Sequence, residues 1–346
     1  MNQRDSLFFY FLRMGLWEAE EVYAGAAPGR EDWERMFRTA QLQAVTGVVM
    51  DGIARTGMRP DRSLWEPWVW HLLYVEQMNR RIAQCGGRWL SWLGDKGIRA
   101  FVFKGASVAS WYGQPLHRSF GDVDIVVQEG WEKLVPALKE AGIAYRNEHG
   151  DLVVQDDDQV PVELHARWEY VYNPLVNSRL QKLLGKATEK DRELYLVCLI
   201  LHLQRHFLTY GIGLKQVCDV AVMLHAASLD RERTAGLLRR LHAVAFSRLL
   251  FGFIDVYLGG TERYPLPPVT SGKRFDVLCD VIMNDGYHRK GQQEALASRS
   301  RWAAVRIARN VWFWARRSLR LFSILPGETC GFWWYMGWRR ILSFSL

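Results

Sequence analysis

The segment "FGDVDIVV", residues 120–127, limits the possible folds more than any other part of the chain. Two aspartates, Asp122 and Asp124, interrupt a run of valine and isoleucine that otherwise reads as a buried strand. Side chains two apart on a strand share a face, so the aspartates project together while Val123, Ile125 and Val127 point the other way. Acids paired in this way have the geometry of a metal-binding site.

A partner for the pair lies downstream in "VPVELHARW", where Val162 and Leu164 face a core and Glu163 and His165 share the opposite face. Asp122, Asp124 and Glu163 then converge from two strands. Such a cluster repels itself unless a cation sits in it, and hard oxygen ligands select Mg²⁺ or Mn²⁺. Upstream, "FKGAS" marks a strand-to-helix junction: Gly105 permits close approach of a phosphate, and the amides at the helix start attract its charge. Ser107 adds a hydroxyl, and Lys104 and Arg118 add positive charge. These residues together describe a nucleoside triphosphate held against metal ions.

The surrounding pattern predicts an α+β chain. Residues 1–97 read as helices, with Trp33, Met36, Phe37 and Ala40 spaced to form one apolar face. Residues 98–170 read as β-α-β-α-β-β, a small mixed sheet with helices, ending in a hairpin that turns at residues 156–158. Helices resume over 171–298, with a single helix expected through "TAGLLRRLHAVAFSRLLFGFIDVYLGG", and a basic tail rich in tryptophan and arginine occupies 299–346.

The stretch "KGASVASWYGQPLHRSFGDVDIVV" followed by "VELHARW" resembles the uncharacterised nucleotidyltransferase family of the polymerase-beta-like superfamily. That superfamily's signature is a strand, a glycine turn, a helix, an Asp-x-Asp strand and a third acid on a later strand. Gly105, Asp122, Asp124 and Glu163 stand at those positions, with Ala106 where Ser or Gly is usual. The similarity extends to "GIGLKQVCDVAVML" and brings in Lys215 and Asp219. The resemblance implies an enzyme that uses Mg²⁺ or Mn²⁺ to move a nucleoside monophosphate from an NTP, such as ATP, to a hydroxyl acceptor. Asp122, Asp124 and Glu163 would be both the catalytic and the metal-binding set, and Lys104, Gly105, Ser107, Arg118 and Lys215 would bind the nucleotide. The alternative is an inactive binding protein on the same fold, attached to a membrane or a protein.

Other features set bounds. The cysteines, Cys85, Cys198, Cys218, Cys279 and Cys330, are widely spaced and read as reduced core thiols. Neither a secretory signal nor an apolar run of membrane-spanning length is evident, so a cytoplasmic location, peripheral to a membrane at most, is expected. His202 and His206 are spaced as a zinc pair, but without a matching third ligand they read as a polar pocket. The net charge of +8 is concentrated from Arg299 onward, where nine arginines meet one acid, Glu328. There Trp302, Val305, Ala308, Trp312, Ala315, Leu319 and Phe322 form a stripe. Its first reading is a face packed on the helical domain, followed by an anionic membrane surface and then a nucleic acid. An Asp-x-Asp glycosyltransferase ranks low because no Rossmann-like sheet precedes the motif.

Overall fold

The computed structural model describes residues 3–17, 23, 25–148, 150–226, 228–259, 263–285 and 303–343. They belong to two compact units, Met1–Trp168 and Glu169–Leu346.

The first unit begins with helices α1 (Gln3–Leu16), α2 (Arg30–Leu42), α3 (Thr46–Thr56) and α4 (Arg62–Asp95). The expected stripe on α2 forms: Trp33, Met36 and Ala40 are buried, and Phe37 stacks on Trp68 with ring centroids 4.7 Å apart. Helices α1 and α3 touch backbone to backbone, since a Cβ on Gly52 would lie 1.9 Å from the carbonyl oxygen of Phe11. Only glycine permits that approach.

The α/β part follows as β1 (Arg99–Val102), α5 (Gly105–Ala109), β2 (Val123–Glu129), α6 (Trp131–Glu140), β3 (Tyr145–Glu148), β4 (Asp151–Gln155) and β5 (Pro161–His165). The five strands form one mixed sheet in the order β1-β2-β5-β4-β3. Strands β2 and β5 are parallel and the other neighbours antiparallel. One face carries Val123, Ile125, Val127, Leu152, Val154, Val162 and Leu164. It packs on Ile82, Cys85, Trp89 and Leu93 of α4 and on Leu134 and Leu138 of α6. Burying each such aliphatic side chain is worth about 1.5–3 kcal/mol, so this face holds the sheet to its helices. The sheet has one more strand than the sequence pattern predicts. Most of β3 is exposed at an edge, so no apolar alternation marks it, and its turn into β4 is closed by the Gly150 N–H donating to Asn147 Oδ1 at 3.1 Å.

The second unit is helical: α7 (Pro174–Leu184), α8 (Arg192–Leu208), α9 (Leu214–Ala226), α10 (Arg231–Arg240), α11 (Val244–Phe253), α12 (Lys273–Asp280), α13 (Ala303–Leu321) and α14 (Pro326–Ser343). The single helix expected across 234–260 is instead broken between α10 and α11. His242 adopts φ 55°, the Ala243 N–H donates to the Leu238 carbonyl, and the His242 N–H donates to that of Arg239. This is a left-handed C-cap with histidine in the place glycine usually takes. Among the cysteines, Cys85, Cys198 and Cys218 are core thiols as expected, Cys279 is half-buried, and Cys330 is exposed.

The stripe on α13 does not pack as its first reading proposed. Arg317 faces inward, its guanidinium donating to the carbonyls of Leu208 at 2.9 Å and Phe207 at 2.5 Å at the end of α8. Ser318 accepts from the Trp333 indole at 3.0 Å. These bonds fix the rotation of α13 and turn Val305, Trp312 and Leu319 outward, with Phe322 exposed just beyond the helix. Trp302 lies outside the described residues.

Candidate active site

The face of the sheet opposite the core gathers the polar groups. Pairing of β2 with β5 sets Asp124 beside Glu163 and Val126 beside His165. Pairing of β4 with β5 brings Asp151 next to His165, one step beyond the Leu152–Leu164 pair. His165 joins the three strands: its Nε2 lies 2.9 Å from Asp124 Oδ1 and 3.6 Å from Glu163 Oε2, and its Nδ1 lies 3.1 Å from Asp151 Oδ2. Asp124 is buried, and Glu163, His165 and Asp122 are half-buried. Asp122 directly precedes β2, so the period of two puts it toward this same face.

The turn after β1 closes one side. The Phe103 N–H donates to the Asp124 carbonyl at 2.9 Å, carrying the ladder past the last residue of β1. Lys104 then adopts φ 62°, ψ −152°, a region essentially reserved for glycine, and Gly105 follows at φ 41°. Such a backbone costs a side-chain-bearing residue about 1–3 kcal/mol and persists where its surroundings hold it. Here it aims the Lys104 ammonium at Asp124, 3.5 Å from Oδ1. Helix α5 spans only five residues, and the Ser107 N–H donates to the Lys104 carbonyl at 2.8 Å. With so short a helix, positive charge at this turn rests on Lys104 more than on a helix dipole.

Arg118 is buried, donates to the Ser119 carbonyl at 3.2 Å and lies 5.8 Å from the Phe120 ring centre. Its loop is held by Asn79 on α4. The Asn79 amide donates to the carbonyls of Leu116 at 2.6 Å and Arg118 at 2.9 Å and accepts from the Phe120 N–H at 2.9 Å. His117 is gripped between Asp51 Oδ1 at 2.7 Å and Glu76 Oε1 at 3.1 Å. Sequence reasoning missed Asn79, Asp51, Glu76 and Asp151, because each acts through pairings distant along the chain. Only Asp151 left a signal, the alternation of "DLVVQ" that puts it on the face opposite Leu152 and Val154.

Lys215 and Asp219 lie in the second unit on α9, both buried. His202 Nδ1 lies 2.7 Å from the buried Glu169, to which Arg205 Nε donates at 2.9 Å. With Arg205 stacked 4.3 Å over the Tyr170 ring, His202 belongs to a polar cluster within a helical unit. That is the role expected of it.

The charges on the sheet face perturb one another. Burial raises the pKa of Glu163, and the neighbouring charges of Asp124 and Asp122 raise it further. Burial alone would lower that of His165, but its bonds to Asp124 and Asp151 outweigh this and lift it to about 9. The protein alone therefore balances its carboxylates with an imidazolium and Lys104. A divalent ion is the other way to balance them, and the residues fit one: ligand atoms of Asp124, Glu163 and His165 all lie within 4.8 Å of one another. Adjacent ligands of an octahedral ion with bonds of 2.0–2.1 Å are about 3 Å apart, close to the separation of His165 and Asp124. Two carboxylates and an imidazole suit Mn²⁺ and other transition ions as well as Mg²⁺.

Searches of curated proteins and of solved structures return no match. One family model does match, over residues 29–259, which include the acids of the sheet, the Lys104 turn and α9. The chain therefore belongs to the uncharacterised nucleotidyltransferase family.

Proposed function

We propose that the protein is an active, divalent-metal-dependent enzyme that transfers a nucleoside monophosphate from an NTP to a hydroxyl-bearing acceptor and releases pyrophosphate. The observation that carries this reading is the convergence of Asp124, Glu163 and His165 on one sheet face beside the Lys104–Gly105 turn. In the reaction an acceptor oxygen attacks the α-phosphorus, the bond to the bridging oxygen of the β-phosphate breaks, and the acceptor's proton must be taken up. Glu163, facing this cluster, is the carboxylate we assign to take it, directly or through the metal-bound environment.

Asp122, Asp124 and Glu163 would hold Mg²⁺ or Mn²⁺, with His165 as a nitrogen ligand steadied from behind by Asp151. Such ions, when bound, neutralise the triphosphate and lower the pKa of the acceptor hydroxyl. The protein supplies the rest. Gly105 lets the backbone approach the β- and γ-phosphates, the Ser107 hydroxyl donates to them, and Lys104 and Arg118 offset the charge that builds on leaving pyrophosphate. Lys104 is held ready by Asp124, from which the phosphates would draw it away.

Calorimetric titration with each NTP, with and without Mg²⁺, tests the proposal. Metal-dependent binding of a nucleotide that disappears in the Asp122→Ala, Asp124→Ala double variant supports it. Absence of binding by the wild type to every NTP in the presence of metal would overturn it.

A further inference from the structure

The outward stripe of α13 is an unusual surface. Val305, Arg309, Trp312, Arg316 and Leu319 recur at alternating intervals of four and three and so lie along one line of the helix. All five are exposed. Trp312 keeps 70% and Leu319 79% of their surface in solvent, and Phe322 continues the line at 48%. Val305, Trp312 and Leu319 edge this line on one side and Arg309 and Arg316 on the other, so large apolar side chains and guanidiniums sit side by side on the exposed face. Solvent favours the guanidiniums and gains nothing from the tryptophan and leucine.

We infer that this strip is a docking face for an anionic lipid surface. A helix lying in the headgroup region buries Trp, Leu and Val among the upper acyl chains while arginines beside them reach up to lipid phosphates. An apolar edge beside an arginine edge on the exposed face meets both needs. No helix among the described residues is long and apolar enough to cross a membrane, so this contact is with the surface. Arg320 is paired with Asp280, but Glu328 is buried and accepts the backbone N–H groups of Tyr172 and Asn173, so that acid does not offset Arg309 and Arg316.

Other occupants fit less well. A second copy related by a two-fold axis would bring this same strip, arginines included, against itself. A nucleic acid would use the arginines and could stack on Trp312, but Val305 and Leu319 offer it neither stacking nor hydrogen bonds. The strip also lies beyond residues 29–259, the part matched by the family model, so this inference stands or falls apart from the transfer reaction.

The experiment is sedimentation of the full chain with vesicles of equal parts phosphatidylglycerol and phosphatidylcholine, against vesicles of phosphatidylcholine alone. The expected result is pelleting with the anionic vesicles only, largely reversed at about 0.5 M salt. Trp312→Ser with Leu319→Ser should weaken the partition by about tenfold or more. Arg309→Gln with Arg316→Gln should do so independently, a second variant that leaves the apolar residues in place. Wild type that stays in the supernatant overturns the inference, as do variants of both kinds that pellet like wild type. Light scattering that shows a dimer dissolved by Trp312→Ser with Leu319→Ser would also overturn it, by assigning the strip to a second copy.

Discussion

Among single residues, Glu163 and His165 separate the proposed roles most cleanly. Glu163→Gln keeps an oxygen that can still approach an ion but cannot take a proton. Because Glu163 is also a proposed metal ligand, the change should lower nucleotidyl transfer at saturating NTP by about 10²-fold or more and weaken metal-dependent nucleotide binding as well. A loss of affinity with turnover at saturation intact would contradict the role as base. Asp151 touches the metal set only through His165, so Asp151→Asn should weaken Mn²⁺ binding by about tenfold, read by calorimetry, with little change in melting temperature. The acids on β2 and β5 were legible in the sequence because the period of two is enough to sort Asp122, Asp124, Glu163 and His165 from their valine and leucine neighbours. Asp151 obeys the same alternation but was not singled out, since what matters is its register against β5, a relation between strands.

At the scale of elements, α4 serves as a platform for the loop between α5 and β2. Asn79→Ala leaves the Leu116 and Arg118 carbonyls and the Phe120 N–H without their partner and should cost about 1–3 kcal/mol, measured by denaturant unfolding. His117 gives the same loop a dependence on pH. Its bond to Asp51 raises its pKa above the usual 6.5, against the effect of burial and with help from Glu76. A group whose folded-state pKa is raised adds stability that is fully present below the unfolded value and is lost as pH rises through the folded one. The stability gap between wild type and His117→Gln should therefore be widest near pH 5 and close as the pH rises past neutrality; a gap that widens would contradict this. The parallel β2–β5 neighbours and the α10–α11 break were not legible. The first is a pairing of strands distant in sequence, and the second depends on a histidine taking a glycine's place at a helix cap.

For the molecule as a whole, charge and chemistry fall in different places. The acids of the sheet face lie in the first unit, whereas the excess of arginine is in the last helices of the second. The α+β class, with a mixed sheet flanked by helices, was readable from the change of apolar period near Ile98. The orientation of α13 was not, because an inward arginine reverses which side of an amphipathic helix meets solvent. The second unit also carries an ion pair between the buried Glu169 and the half-buried Arg205, so Glu169→Ala should destabilise it by about 1–3 kcal/mol by removing the acceptor shared by Arg205 and His202. The central claim is that the sheet face of the first unit holds a divalent ion. The most direct measurement is titration of the full chain with Mn²⁺ followed by electron paramagnetic resonance, comparing wild type with Asp124→Asn. The predicted result is that wild type depletes the signal of the free ion and that Asp124→Asn weakens this at least tenfold without loss of fold. Free Mn²⁺ undiminished by the wild type, or equal depletion by the variant, would contradict it.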